Sequence, residues 1–348
     1  MHAFQFSSRL VPELTEKLCS RYRVLQRIFL HQPIGRRSLA LLLGISERIL
    51  RADVELLKEQ GLIDVGPVGM HVTDSGATLI KELDDVIRYL DGRHELEAKL
   101  RDVLGIARVV VVPGDSHKDD SVTRDIGYAA GRVLLEYLHE HCTIAVTGGS
   151  SLAMLADVIP RPVQPQSVVV VPARGGLGER VELLANTIAS RLAERLGGTY
   201  RMFHVPESLS KSTAETLAME PLIQEVVEHI RAADIVVHGI GEALTMARRR
   251  KLDAMTISEL QAKGAVAEAF GYYFDADGHI IHVMGTVGLR LEDIAHIPVV
   301  IGVAGGAGKA QAIRAAAQAY RIDALVTDEG AGNSILQAYE SSKFHTEG

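Results

Sequence analysis

The stretch AVTGGSSLAMLAD, residues 145 to 157, passes from a short apolar run through Gly148 and Gly149 into Ser150 and Ser151 at the start of a helical segment. Glycines permit a tight turn with exposed backbone amides, and two hydroxyls add donors, which is the chemistry of an anion site at a helix N-terminus. Three further apolar runs end in glycine-rich turns: ARGGLG at 173–178, GIGEA at 239–243 and AGGAGK at 304–309. One such turn is explained by turn geometry alone. Four at strand ends, with Gly176 beside Arg174 in one and Lys309 in another, point to a pocket for an anion such as phosphate.

Nucleotide chemistry fits these turns poorly. VAGGAGKA has Val303 where a P-loop needs glycine and Ala310 where it needs the hydroxyl that ligates Mg²⁺. GIGEAL has Leu244 at the last small-residue position of a dinucleotide fingerprint. HEHC, with His139, His141 and Cys142, straddles a helix end and a strand start with no fourth ligand near in sequence. No metal and no cofactor are expected, and Asp328 and Glu329 read as caps of the helix after them.

The elements that would position these turns begin near residue 107. ARVVVVPGD, TIAVTGG, SVVVVPARGG, TYRMFHVP, DIVVHGIGEA, IPVVIGVAGG and DALVTDEGAG read as strands, mostly separated by helices. This alternation predicts an α/β fold with a doubly wound, mainly parallel sheet whose ligands sit beyond the carboxyl ends of the strands.

The N-terminal part differs in charge and pattern. The whole chain carries −7, yet residues 1–63 hold ten Lys/Arg against six Asp/Glu, a net +4, leaving −11 for the rest. A basic head on an acidic body implies that the head meets a polyanion. Val24, Leu25, Ile28 and Phe29 mark a first helix, RRSLALLL a second, and Gly44 a sharp turn before a third from about Ser46 to Gln60. That third helix is expected to bury Ile49, Leu50, Val54 and Leu57, and LIDVGPVGMHVT follows as two short strands. Three helices and a hairpin predict a winged helix-turn-helix that binds double-stranded operator DNA. Ser46, Glu47, Arg48 and Arg51 would face base edges, while Arg36, Arg37 and the wing near His71 would touch phosphates. A helical protein-docking module is the alternative for the same core.

These readings divide the chain at 1–73, a DNA-binding domain; 74–104, a linker helix; and 105–348, the ligand-binding and oligomerisation domain. Leu79, Leu83, Val86 and Leu90, then Leu96, Leu100 and Val103, form an apolar stripe interrupted at Asp91-Gly92. It serves either dimerisation or packing on its own chain. A composition 47% hydrophobic and 23% charged is that of a globular protein, and no apolar run is long enough for a membrane span. The N-terminus lacks the features of a signal peptide, and two isolated cysteines fit a reducing cytoplasm.

The motifs VVVVPGD, VTGGSS, VVVVPARGGLGE, GTYRMFHVP and AVAEAFGYYFDADG, behind a winged helix-turn-helix, resemble the SorC-type sugar-binding transcriptional regulators. The likeness spans nearly the whole chain. It implies a fold similar to ribose-5-phosphate isomerase and glucosamine-6-phosphate deaminase. It also implies a repressor of a glycolytic operon, working as homodimers and homotetramers, whose signal is fructose 1,6-bisphosphate or a related sugar phosphate. On the matching motifs, Gly148, Gly149, Ser150 and Ser151 would grip one phosphate and Lys309 would meet a phosphate. Arg174, Gly176 and Arg249 would line the pocket, and Glu268 would approach the sugar hydroxyls.

The same fold could serve catalysis. An isomerase or deaminase needs a carboxylate base beside the substrate's reacting carbon. Glu242, Glu268, Asp328 and Glu329 are the acids available, and glycines stand in HGIGEA where an acidic pair would be expected. With a DNA-binding head attached, a sensor without catalytic residues is the favoured reading. A phosphosugar isomerase or deaminase, or a regulator answering to another sugar phosphate, is the alternative.

Overall fold

The computed structural model describes residues 11–162, 167–176, 180–206 and 209–346. The segment read as lacking a signal peptide lies largely outside them, as do Leu177, Gly178 and Glu179 of the PARGGLGE motif. The chain divides into two compact units, one up to Glu95 and one from Leu96.

The N-terminal unit consists of helices Pro12–His31, Arg36–Leu43 and Glu47–Glu59, the hairpin β1 (Ile63–Gly66) and β2 (Gly69–Val72), and helix Asp74–Leu90. Gly44 ends the second helix in the left-handed conformation, and the Ser46 hydroxyl accepts the Ile49 N–H at the start of the third. Ile34 exchanges backbone hydrogen bonds with Met70, tying the wing to the helices. The core gathers Val24, Leu25, Ile28, Leu39, Leu50, Val54, Leu57, Ile63 and Met70, with Ile80 and Ile87 from the last helix.

Two positions on the third helix differ from expectation. Ile49 points outward, 56% exposed, whereas Asp53 is buried. The buried stripe runs through Leu50, Asp53, Val54 and Leu57, and Ile49 stands about 100° around the helix from Leu50. Asp53 is tolerated because Lys17 at 2.9 Å and Arg21 at 3.1 Å, both on the first helix, oppose its charge.

In the C-terminal unit, helix Arg93–Leu104, within which the division falls, leads into a seven-stranded sheet. Its strands are β3 (Arg108–Val112), β4 (Thr143–Val146), β5 (Val169–Pro172), β6 (Thr199–Tyr200), β7 (Ile235–Gly239), β12 (Val299–Val303) and β13 (Ala324–Asp328). The order is β3-β13-β12-β7-β4-β5-β6, with each neighbouring pair parallel. Alternate residues feed two cores, Val109, Val111, Ala145, Val171 and Val236 on one face and Ile144, Val146, Val170, Ile235 and Val237 on the other. TYRMFHVP is a strand only at Thr199–Tyr200; beyond it Phe203 and Val205 are buried in a core without pairing in the ladder.

A separate antiparallel sheet, absent from the sequence reading, contains β8 (Gly241–Glu242), β9 (Ala267–Ala269), β10 (Tyr272–Phe274) and β11 (Ile280–Val283), in the order β11-β10-β9-β8. Its strands are two to four residues long, too short for alternation to register. A bridge between Arg174 and Gly288 ties the end of β5 to the segment that follows β11.

Replacing Asp53 by Ala should loosen the N-terminal unit by about 1–2 kcal/mol, the scale of a lost charged hydrogen-bond network. Hydrogen exchange should then speed up in helices Pro12–His31 and Glu47–Glu59, with the seven-stranded sheet unchanged.

Candidate functional site

The four glycine turns follow β5, β4, β7 and β12, which are neighbours in the sheet. Because these strands are parallel, all four turns open at the same edge. They line a cavity of about 470 Å³ that receives Gly148, Gly149, Ser150, Ser151, Arg174, Gly176, Arg249, Glu268 and Lys309 together. Among the described residues, six basic side chains, Arg174, Arg180, Arg249, Arg250, Lys251 and Lys309, and one acid, Glu268, line it.

The first turn is held from beneath. Thr147 N–H donates to the Val237 carbonyl, the Thr147 hydroxyl accepts from Gly239 N–H, and Gly149 N–H donates to the Leu183 carbonyl. The Gly149 amide is therefore spent within the protein, contrary to the expectation that both glycines would free their amides. The donors left over are those in the first turn of helix Ser150–Val158, whose N–H groups have no intrahelical acceptor. At Gly148 a Cβ would lie 2.7 Å from the Leu183 carbonyl oxygen, so glycine is required there.

Opposite stands a buried charge cluster. Glu268, on β9, is 3% exposed and Arg174 is 4% exposed. The Glu268 carboxylate meets Arg250 at 2.8 Å and Arg174 at 3.6 Å, and accepts the Gly271 N–H at 2.7 Å. Burial pushes its pKa up, but Arg250, Arg174 and the Gly271 amide outweigh that and hold it below the ordinary glutamate value. Gly271 and Phe270 form the two-residue turn from β9 to β10 with φ of 85° and 53°. Both are left-handed, which suits glycine and strains phenylalanine; Phe270 is one of the residues lining the cavity, and its ring packs against Tyr320 and His238. Behind it His238 is fully buried, its ring centroid 4.6 Å from that of Phe270; burial lowers its pKa to about 4, so it is neutral near pH 7.

Lys309 ends the turn after β12. Desolvation and the nearby Arg249 lower its pKa, with Asp328 and Glu242 opposing in part. Four of the six cations form two groups, Lys309 with Arg249 and Arg174 with Arg250, while Arg180 and Lys251 line the cavity beside them. Sequence reasoning chose Arg249 from the run Arg248–Arg250; the cavity holds Arg249 and also Arg250, which pairs with Glu268. Thr147, Arg180, Met246, Lys251 and Phe270 were not anticipated. Only Thr147, which adjoins the glycine pair, and Lys251, which extends the arginine run, had a signal in the sequence.

The acids considered as bases are otherwise engaged. One Asp328 oxygen accepts from Ser116 N–H, Ser116 Oγ and Gly306 N–H, and the other caps Ala331 N–H. Glu329 accepts from Gly114 N–H, and Glu242 from the Thr245 hydroxyl. Of the HEHC residues, Cys142 is buried while His139 and His141 are exposed. Among the described residues, Asp275, Asp277 and His279 come together at the β10–β11 turn, where Asp275 accepts the Asp277 and His279 amides.

In the N-terminal unit, Arg37, Ser46, Glu47, Arg48, Arg51 and His71 are exposed and Arg36 is half-buried. Arg36 approaches Glu47 at 4.0 Å and Arg51 approaches Glu55 at 3.6 Å. His71 stands opposite Asp64 in the wing.

Residues 89–337 match the family of sugar-binding domains, and residues 18–87 the CggR N-terminal DNA-binding domain. The central glycolytic genes regulator of Priestia megaterium is 43% identical, covering 95% of this chain and 97% of its own length. That of Bacillus subtilis is 41% identical over 96% and 98%. A SorC family transcriptional regulator from Enterococcus faecalis is 42% identical with a TM-score of 0.65, covering 70% of this chain and all of that structure. The full-length sorbitol operon regulator SorC of Klebsiella pneumoniae, at 18% identity and TM-score 0.67, shares the fold over 94% of this chain. The chain belongs to the SorC-type family of sugar-binding transcriptional regulators and is a DNA-binding regulator, not an enzyme.

Proposed function

We propose that the protein represses a glycolytic operon and that fructose 1,6-bisphosphate, or a related sugar phosphate, bound in the sheet-edge cavity modulates its hold on operator DNA. The observation that carries this reading is the pairing of two separate cationic groups with a helix start in one cavity. A bisphosphate has two dianionic ends, which need charge or amides at both ends of its site, and a hydroxyl-rich middle, which needs an acceptor such as Glu268. Planar guanidinium groups suit phosphate, and a lysine adds a mobile charge. The names of the two regulators with more than 40% identity support the glycolytic assignment.

In this reading residues 1–73 bind DNA, 74–104 link, and 105–348 bind the effector and oligomerise, within the cytoplasm. Arg36, Arg37 and His71 contact phosphates, and Ser46, Glu47, Arg48 and Arg51 meet base edges. The effector shifts the packing of homodimers and homotetramers and with it the spacing of their heads. It can do so only by its differential affinity for two arrangements, typically about 1–3 kcal/mol per site.

Thermal shift across mono- and bisphosphorylated sugars tests the effector, with the largest rise expected for the hexose bisphosphate; a larger rise with another sugar phosphate would reassign it. Lys309→Ala should keep operator binding in a gel shift but need at least tenfold more bisphosphate for release. Gly148→Ala should also keep operator binding and lose the thermal shift, because its Cβ would displace the first phosphate loop. Binding of a dianion stabilises the protonated Lys309 ammonium and raises its pKa. Affinity should therefore be constant at pH values below the free-state pKa and fall as pH rises through it. Calorimetry in buffers of different ionisation enthalpy should register proton uptake in that window, and Lys309→Met should abolish it.

A further inference from the structure

The outward arc of helix Glu47–Glu59 carries one large, freely exposed apolar side chain. Ile49 is the third residue of that helix, is 56% exposed, and takes no part in the stripe of Leu50, Asp53, Val54 and Leu57 that fixes the helix to its unit. Around the helix it adjoins Arg48 and Ala52, which are also exposed. Its backbone is fixed by the Ser46 cap, so its Cα–Cβ direction is set before any partner arrives.

The surrounding charge indicates what covers it. Arg48 and Arg51 lie on the outward side, and Arg36 and Arg37 open the preceding helix; Glu47 and Glu55 stand among them, against Arg36 and Arg51, and leave the rim net positive. A rim of this sign is complementary to a polyanion. The apolar feature that a DNA major groove offers to such a helix is the C5 methyl of thymine, while guanidinium groups take guanine edges and phosphates.

We propose that Ile49 reads a thymine methyl in the major groove, a specificity contact additional to the polar residues of this helix. The inference rests on the DNA-binding reading of the head. The test separates the two.

Duplexes enriched by the full chain from a randomised pool serve as the probe, and each thymine is replaced in turn by uracil, which pairs alike but lacks the methyl. Affinity is read by fluorescence anisotropy at fixed salt. At one position uracil should weaken wild-type binding about fourfold, the worth of one buried methyl. Ile49→Ala should lose a similar factor on the thymine duplex and become indifferent to uracil there, while Ile49→Val keeps most of the sensitivity. Both variants should retain the wild-type melting temperature, since the side chain is outside the core. Wild-type indifference to uracil at every position, or unchanged sensitivity in Ile49→Ala, would overturn the proposal. So would an altered oligomeric state of Ile49→Ala with its thymine dependence intact, which would place Ile49 between protein copies. A pool yielding no enriched sequence would remove the DNA-binding reading and this inference together.

Discussion

A carboxylate withdrawn from water is held in place by what opposes its charge. Glu268 is such a group, and its environment organises the cavity. Arg174 comes from the end of β5, Arg250 from just beyond helix Ala243–Arg249, and the Gly271 amide from the β9–β10 turn. Three segments distant in sequence therefore converge on one oxygen-bearing side chain, and the parallel and antiparallel sheets are joined there. The cluster also leaves its guanidinium groups oriented, so that a ligand meets fixed donors. Lys309 and Arg249 are arranged differently: burial and the neighbouring guanidinium lower the Lys309 pKa, and Asp328 and Glu242 offset this only in part.

The N-terminal unit solves a smaller version of the same problem. Asp53 occupies a core-facing position on the third helix, and Lys17 and Arg21 reach it from the first. The two cations thus tie the first helix to the third beside their shared apolar core. The opposite arc of the third helix, with Arg48, Arg51 and Glu55, is thereby presented to solvent, and Ile49 stands at the border between that arc and the buried stripe.

The glycine turns, the parallel sheet and the three helices of the head were legible because each is written locally, as apolar run, glycine and helix in immediate succession. Parallelism then implied a common edge, and nine residues expected at the ligand site do line one cavity. The antiparallel sheet was not legible, since strands such as Gly241–Glu242 carry no periodic signal and acquire meaning only on pairing. Neither was the presence of Arg250 beside Arg249 in the cavity, because the Arg250 position depends on where Glu268 lies. Ile49, expected in the core, is exposed, and Asp53, for which nothing was expected, is buried, for a related reason. Hydropathy favours burying isoleucine, but the helix phase is fixed by four other side chains and by partners on another helix. The saturation of Asp328 by three neighbouring donors on one oxygen likewise depends on segments more than 20 residues away.

Phe270 sits in a backbone conformation that costs a non-glycine residue of order 1–2 kcal/mol. A chain retains such a residue only where its surroundings leave it no relaxed option, and here they include the buried His238 ring and the turn that carries Gly271. The loss of backbone freedom on that wall has therefore been met during folding and need not be met again on association. That wall of the cavity is thus carried by a turn whose shape is fixed by packing from behind, with the Phe270 ring set against His238 and Tyr320.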